Sequence, residues 1–201
     1  MSVSGVGRNN FSPLGLGYDT LRPNNQKDLS AMPFLHACVH YIDAFTDRSG
    51  RLLAWFALGM ALVTALIVVL RYGFNIGSIM AQEAVIYMHG GLFMLGAAYA
   101  LKTGAHVRVD IFYRDFSPRA RAWVNSLGGI VFLLPLCTFI CFSSWNYVAE
   151  SWAIREISPE PGGIPAVFLL KSLIPLMAVN LFLQGLAETL RSALVLVGEQ
   201  P

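Results

Sequence analysis

Long apolar runs separated by short polar connectors dominate the chain from residue 52 onwards. The first run, residues 52–70, contains no charged residue and is bracketed by Arg51 and Arg71. Its nineteen residues would extend about 28 Å as a helix, close to the ~30 Å hydrocarbon core of a bilayer. The pattern predicts membrane-spanning helices, because lipid cannot satisfy the edges of an open sheet. The four predicted spans lie at about residues 52–70, 84–101, 123–149 and 165–190.

A shorter apolar segment, residues 33–45, precedes the first span and is too short to cross a bilayer. Most of its apolar side chains fall near one helical face, whereas His36, His40, Asp43 and Asp47 fall elsewhere and favour a wet polar face. This pattern predicts a short amphipathic helix over residues 33–50 that lies in the membrane interface. The apolar residues that share the face are Phe34, Leu35, Cys38, Val39, Ile42 and Phe45.

The segments outside the apolar runs define the domain organisation. Residues 1–32 are rich in Gly, Pro and Asn and lack the apolar core of a signal peptide, so we expect a flexible cytoplasmic leader. A four-helix transmembrane domain over residues 51–195 and a tail over residues 196–201 complete the chain. The expected fold is therefore an all-α integral membrane protein with four transmembrane helices and an N-terminal interfacial helix.

Lysine and arginine residues predict the orientation, because cytoplasmic connectors carry an excess of them. They concentrate before the first span and between the second and third spans, whereas the other two connectors hold only Arg71 and Arg155. This asymmetry predicts that both termini and the second connector are cytoplasmic. The residues on that predicted side are Arg8, Arg22, Lys27, Arg48, Arg51, Lys102, Arg108, Arg114, Arg119, Arg121 and Arg191.

Composition excludes several function classes. The chain is 55% hydrophobic and only 13% charged, whereas a soluble domain carries about 25% charged residues. The net charge of +2 gives no basis for binding nucleic acid. The sequence also has no nucleophile–base constellation, phosphate-binding loop or zinc motif, so we expect neither an enzyme nor a metal or other cofactor.

Lys171 lies inside the fourth apolar run, where an unpaired lysine would cost about 2.5–3.5 kcal/mol at a helix centre. Three interpretations remain open: outward snorkelling, pairing at a helix or subunit interface, and a role coupled to transport. Its candidate partners are Glu83, Glu150 and Glu156, all on the same predicted side. Glu83 itself is either a carboxylate favoured by the helix N-terminus or a polar contact to another helix.

Local signals mark helix starts, bends and close contacts. Ser117 is a plausible N-cap for a third helix that begins at Pro118. Pro135 and Pro175 lie inside the third and fourth spans, where each frees a carbonyl and is expected to bend its helix. Small residues also recur at every fourth position of the first span and favour close helix approach. They are Ala57, Ala61 and Ala65.

Several motifs occur in an order that resembles a known transporter family. They are LRYGFNIGSIMAQEAVIYMHGGLFMLGAAYALKTGAHVRVDIFY, SPRARAWVNSLGG, SWAIREISPEPGGIP and LLKSLIPL. Over residues 52–191 the chain resembles the small, DctQ-type permease subunit of TRAP transporters, the tripartite ATP-independent periplasmic systems. The leader before Met32 is not covered by this resemblance.

The resemblance implies a multi-pass protein of the bacterial inner membrane, surrounded by phospholipids. It implies two protein partners, a large M-type permease subunit and a periplasmic substrate-binding protein that delivers an organic acid. The large subunit is expected to hold the substrate and sodium sites of this ATP-independent uptake. The small subunit would then serve as a scaffold with no cofactor of its own.

The resemblance also marks motif residues, which we interpret as subunit-interface or structural positions rather than catalytic or substrate-binding ones. They are Arg71, Glu83, His106, Arg108, Asp110, Ser151, Glu156 and Lys171. Two other functions remain open. One is a stand-alone tetraspan protein that organises assemblies or lipids. The other is a redox membrane subunit, which His89 disfavours because it is the only histidine well inside a predicted span.

Overall fold

The computed structural model describes residues 33–105 and 116–198, and these residues form α-helices and short connectors. The helices are α1 (Pro33–Phe74), α2 (Ile79–Lys102), α3 (Pro118–Gly128), α4 (Leu134–Ala153) and α5 (Val167–Gly198). A π-helical turn, Gly129–Leu133, joins α3 to α4 without a break. The prediction of an all-helical chain with four long apolar segments is confirmed. The leader over residues 1–32 lies outside the described residues.

Helix α5 occupies the centre of the bundle, because it packs against each of the other four helices. Helices α1 and α2 also pack along each other. Several side chains that α5 buries are small, including Ala178 and Ala187. Small residues let neighbouring helix backbones approach closely, which explains how one helix contacts all the others.

Helix α1 is continuous over 42 residues, where the sequence predicts a separate helix over residues 33–50. At 1.5 Å per residue it is about 63 Å long. Ser49 and Gly50, at the predicted break, stay helical. The Ser49 hydroxyl donates to the Thr46 carbonyl oxygen at 2.9 Å, and Gly50 leaves room for the Tyr99 ring of α2. The structure thus corrects the division into two helices.

The junction between α3 and α4 follows from Pro135. In the π-helical turn the Leu134 N–H donates to the Gly129 carbonyl oxygen, five residues earlier. Pro135 has no N–H, so the carbonyl of Val131 loses its usual α-helical donor. The helix accommodates this loss by forming one π-helical turn, in which the hydrogen bond spans five residues instead of four.

The predicted start of the third helix is confirmed. Pro118 is the first residue of α3, and the Ser117 hydroxyl accepts the Ala120 N–H at 3.2 Å. The final helix begins at Val167, two residues after Pro165, and continues to Gly198, beyond the predicted end of the span near residue 190.

Substitution of Gly129 tests the contact between this junction and α5. A Cβ at Gly129 would overlap the Thr189 hydroxyl and lie 3.4 Å from the Thr189 Cβ, whereas a Cβ at Gly128 would meet open space. We expect Gly129→Val to destabilise the detergent-solubilised protein by about 1–3 kcal/mol, as overpacking does. The matched control Gly128→Val should cost much less in the same unfolding titration. Equal losses in the two variants would contradict the close approach.

Candidate functional site

Two clusters of polar side chains lie at opposite ends of the bundle. The loop-end cluster surrounds the connector over residues 154–166 and comprises Glu83, Ser151, Glu156, Ser158 and Lys171. The termini-end cluster lies where α1 and α3 begin and where α2 and α5 end. It comprises Asp43, Thr46, Asp47, Lys102, Gln184, Glu188 and Arg191.

In the loop-end cluster, Lys171 is paired within the chain. Its Nζ lies 2.5 Å from Oε2 of Glu156, and the Ser151 hydroxyl donates to the same oxygen at 2.6 Å. The Nζ also lies 4.1 Å from the centroid of the Tyr147 ring, within range of a cation–π interaction. Of the predicted partner carboxylates, Glu156 is therefore the one that forms the ion pair.

Backbone hydrogen bonds explain why Glu156 reaches Lys171. Arg155 has a φ of 50°, a left-handed conformation that ends the helical path of α4. The Glu156 N–H then donates to the Ser151 carbonyl oxygen at 3.0 Å, and the Glu156 carbonyl accepts the Val167 N–H at 3.1 Å. Residue 156 thus joins the end of α4 to the start of α5.

The surroundings of Glu156 favour its charged form. The hydrogen bond from the Lys171 ammonium lowers the pKa of the Glu156 carboxyl below its ordinary range, and the hydrogen bond from Ser151 lowers it further. Partial desolvation raises the pKa, but by less. A carboxyl with a lowered folded-state pKa stabilises the fold above its unfolded-state pKa. That stabilisation is lost as the pH falls through the folded-state value.

Glu83 supports the same connector from α2. Its carboxylate accepts the Ile164 N–H at 2.6 Å and a hydrogen bond from the Ser158 hydroxyl. A Cβ at Gly163 would lie 2.7 Å from Oε1 of Glu83, so this approach requires a glycine. Ser78, not Glu83, caps the N-terminus of α2. Of the two interpretations of Glu83, the structure favours a long-range polar contact, made to the connector.

In the termini-end cluster, buried polar groups join α1 to α5. Gln184 is 0% exposed and Thr46 is 1% exposed. The Thr46 hydroxyl donates to the Gln184 side-chain oxygen at 2.7 Å, and the Gln184 amide donates to Asp43 at 3.1 Å. Both polar side chains therefore have partners in an apolar interior, where unpaired groups would be costly.

Two cations complete this cluster. Arg191 contacts Asp43 at 2.6 Å and Glu188 at 2.5 Å through different nitrogens. Lys102 lies 2.6 Å from the Asp47 carboxylate and donates to the Asp43 carbonyl oxygen at 3.0 Å. The last turns of α2 and α5 are thereby fastened to the first half of α1.

The termini-end cluster is the part of the structure that sequence reasoning missed. The amphipathic pattern predicts a wet helix face for Asp43 and Asp47, whereas in the structure they contact α5 and α2. Gln184 and Glu188 are not among the residues that the sequence marks as candidates. The available signal was the spacing of Glu188 and Arg191 on one helical face, near the end of an apolar run.

The motif residues divide into three groups. Glu83, Ser151, Glu156 and Lys171 meet in the loop-end cluster. Arg71 is exposed near the end of α1. The third group, His106, Arg108 and Asp110, lies outside the described residues.

Acidification tests the Glu156 ion pair. Relative to Glu156→Gln, the wild-type protein should be more stable at neutral pH and should lose that advantage below the ordinary pKa range of glutamate. Thermal unfolding midpoints in detergent across this pH interval measure the difference. The control Glu150→Gln removes an exposed carboxyl nearby. This variant should lose stability on acidification as the wild-type protein does. A wild-type protein with the same pH profile as Glu156→Gln would contradict the assignment.

A double-mutant cycle tests the buried Thr46–Gln184 contact. Gln184→Leu should cost about 1–3 kcal/mol, because it leaves the Thr46 hydroxyl buried without its acceptor. The double variant Thr46→Val/Gln184→Leu should lose less stability than the sum of the losses in the two single variants. The difference, the coupling energy, should be at least about 0.5 kcal/mol. Unfolding in detergent measures all four proteins, and strictly additive losses would show that the two side chains are uncoupled.

Comparison with known proteins places the chain in a family. The family described as "Tripartite ATP-independent periplasmic transporters, DctQ component" matches residues 60–194. The C4-dicarboxylate TRAP transporter small permease protein DctQ of Vibrio cholerae is 29% identical over 126 residues, which are 60% of this chain and 54% of that protein. A putative TRAP transporter small permease protein of Haemophilus influenzae is 33% identical over 86 residues, covering 43% of this chain and 53% of that protein.

The matched regions span about half the length of these curated relatives. No solved structure matches the chain significantly. The family match nevertheless covers most of the described helices, from within α1 to within α5. This multi-pass membrane chain therefore belongs to the DctQ component family of the tripartite ATP-independent periplasmic transporters, and it is a small permease subunit rather than an enzyme.

Proposed function

We propose that this subunit is the scaffold of a sodium-coupled transporter. It would hold a large permease subunit in the membrane while that partner imports an organic acid brought by a periplasmic binding protein. Membership in a tripartite transporter family supports the presence of further subunits. The Vibrio cholerae relative, described as a C4-dicarboxylate permease protein, supports a carboxylate as the substrate class.

The observation that carries this proposal is an apolar groove that the described helices leave uncovered. Ala57, Ala61 and Ala65 of α1 are all exposed and line its floor. Such a stripe of small side chains lets another helix backbone approach closely. The groove continues onto α2 at Val85, and its remaining lining residues are Met60, Thr64, Val68 and Val69.

The centre of the bundle supports a scaffold rather than a substrate pathway. Helix α5 fills it, and both Ala178 and Ala187 are at most 1% exposed there. The cations carried by α5, Lys171 and Arg191, are engaged by carboxylates of the same chain. A substrate route through the large partner is therefore the simpler arrangement.

We further propose that the termini-end cluster faces the cytoplasm of a bacterial cell and the loop-end cluster faces the periplasm. Described cations at the termini end include Arg48, Arg51, Lys102 and Arg119, and cytoplasmic sides carry such an excess. The connector over residues 154–166 would then face the periplasm.

The 154–166 connector is suited to contact the periplasmic binding protein. Glu83 and the Glu156–Lys171 pair fix its backbone from two sides. Its exposed side chains include Ile154 and Ile157, 73% and 64% exposed. A surface already held in one conformation loses little entropy on binding.

The motif residues near this connector would then act as structural supports, and His106, Arg108 and Asp110 would contact the large subunit.

Substitution in the groove tests the scaffold role. Ala61→Leu places a larger side chain where a partner helix is expected to approach. We expect it to reduce co-purification of the large permease subunit by about tenfold, a loss of about 1.4 kcal/mol, with a parallel fall in sodium-driven C4-dicarboxylate uptake. The control Ala149→Leu alters another exposed alanine, on α4, and should leave both readouts near wild type.

Each outcome bears on a different part of the proposal. Wild-type protein that purifies without a large permease subunit would contradict the scaffold role. Co-purification unaffected by Ala61→Leu would remove the groove as the contact surface. Uptake that does not depend on a sodium gradient would contradict the coupling ion and leave the subunit contact standing.

A further inference from the structure

The first half of α1 has a face that no described part of the chain covers. Tyr41, Phe45 and Trp55 on this face are 74%, 57% and 69% exposed. Arg48 and Arg51 lie between these aromatic residues and are also exposed. At 100° per residue the five side chains fall within about one third of the helix circumference. We call this set the outward face of α1.

The acidic residues of the same segment lie outside this set and pair with neighbouring helices. Asp43 and Asp47 are the carboxylates between residues 33 and 55. Asp43 is engaged by Arg191 and Asp47 by Lys102, each at 2.6 Å. Their negative charge is thus balanced by α5 and α2 rather than by cations of α1. Within the described ranges, 33–105 and 116–198, Arg48 and Arg51 have no ion-pair partner, so the outward face is basic and aromatic.

The two arginines stand at the edge of the apolar run. Arg51 directly precedes Leu52, and Arg48 lies one helical turn earlier. With a rise of 1.5 Å per residue, both lie within about 6 Å of the point where the uncharged sequence begins. Lipid phosphates meet the hydrocarbon at this level, and Trp and Tyr side chains are enriched there.

We propose that the outward face of α1 binds the headgroups of anionic phospholipids. The guanidinium groups of Arg48 and Arg51 donate hydrogen bonds to phosphate oxygens, an acceptor that suits their planar fork of N–H groups. Trp55 lies about 6 Å further into the apolar run than Arg51 and contacts the upper acyl region, whereas Tyr41 and Phe45 flank the headgroups on the polar side. Helix α1 consequently leaves the bilayer tilted, with its outward face toward lipid and its acidic residues toward the bundle.

The character of the face favours lipid over a helix of another protein. Bulky rings and long cationic side chains keep a second helix at a distance, and burying two unpaired guanidinium groups would be costly. Further along α1, the groove over Ala57, Ala61 and Ala65 has the opposite character, small and uncharged. The two surfaces of one helix thus suit two different neighbours.

Lipid titration of the full-length protein in mild detergent tests this site. Phosphatidylglycerol should raise the thermal unfolding midpoint of wild-type protein, and phosphatidylcholine should have little effect. In Arg48→Gln/Arg51→Gln, the phosphatidylglycerol concentration for half-maximal stabilisation should rise about 30-fold, equivalent to about 2 kcal/mol for two basic residues. High salt should weaken the wild-type response. Without lipid, the double variant should unfold near the wild-type midpoint.

Arg155→Gln is the matched control, because it removes an exposed arginine at the opposite end of the bundle. It should retain the wild-type response to phosphatidylglycerol. A double variant that responds like wild type would overturn the proposal. Equal stabilisation of wild-type protein by phosphatidylcholine would overturn it as well.

A second measurement separates lipid from a protein neighbour. A photoreactive benzoyl-phenylalanine in place of Phe45, activated in membranes that contain the whole transporter, should yield an adduct with the mass of a phospholipid. A cross-link to the large permease subunit would instead assign this face to a protein contact. That result would overturn the lipid site while leaving the proposed scaffold role intact.

Discussion

Charged side chains at the boundary of an apolar bundle must find partners, and the arrangement of the helices depends on this constraint. An ammonium or guanidinium group next to hydrocarbon is costly unless a carboxylate or water accepts its protons. Lys171 forms an ion pair with Glu156, and Arg191 forms ion pairs with Asp43 and Glu188. The Arg191–Asp43 pair joins two helices that are distant in sequence, and the Lys171–Glu156 pair joins α5 to the connector before it. Meeting the electrostatic constraint therefore also selects tertiary contacts.

Helix α5 carries both cations, and their separation is informative. Lys171 and Arg191 are twenty residues apart, which is about 30 Å along a helix and matches the hydrocarbon thickness. One cation therefore lies near each face of the predicted membrane. At one end α5 holds the connector that follows α4, and at the other it holds the first half of α1. Between them, small buried residues allow every other helix to pack against it.

The same pairing explains how α1 can serve two purposes. Because Asp43 and Asp47 are neutralised by neighbouring helices, the remaining charge on the first half of this helix is positive and faces outward. Its second half presents Ala57, Ala61 and Ala65, which suit a closely packed helix. A long helix with a basic, aromatic part and a small-residue part is consistent with the proposed contacts to lipid and to a membrane partner.

Sequence alone determined the features that depend on local pattern. Apolar run length fixed the four spans, and Ser117–Pro118 fixed the start of α3 because a capping hydroxyl acts within its own turn. The motifs identified the family correctly. Sequence also narrowed the partner of Lys171 to three glutamates, but it could not choose between them because the choice depends on the left-handed turn at Arg155.

Only the tertiary structure decided what depends on which helices are neighbours. The amphipathic pattern predicts a wet face for Asp43 and Asp47, because periodicity shows that two faces of a helix differ but not which of them meets the bundle. Gln184 is a polar residue within an apolar run, and only the folded bundle shows that its partners Thr46 and Asp43 lie on α1. The direction in which α1 turns its charges is therefore a property of the assembled bundle, because the cations that satisfy them come from α2 and α5.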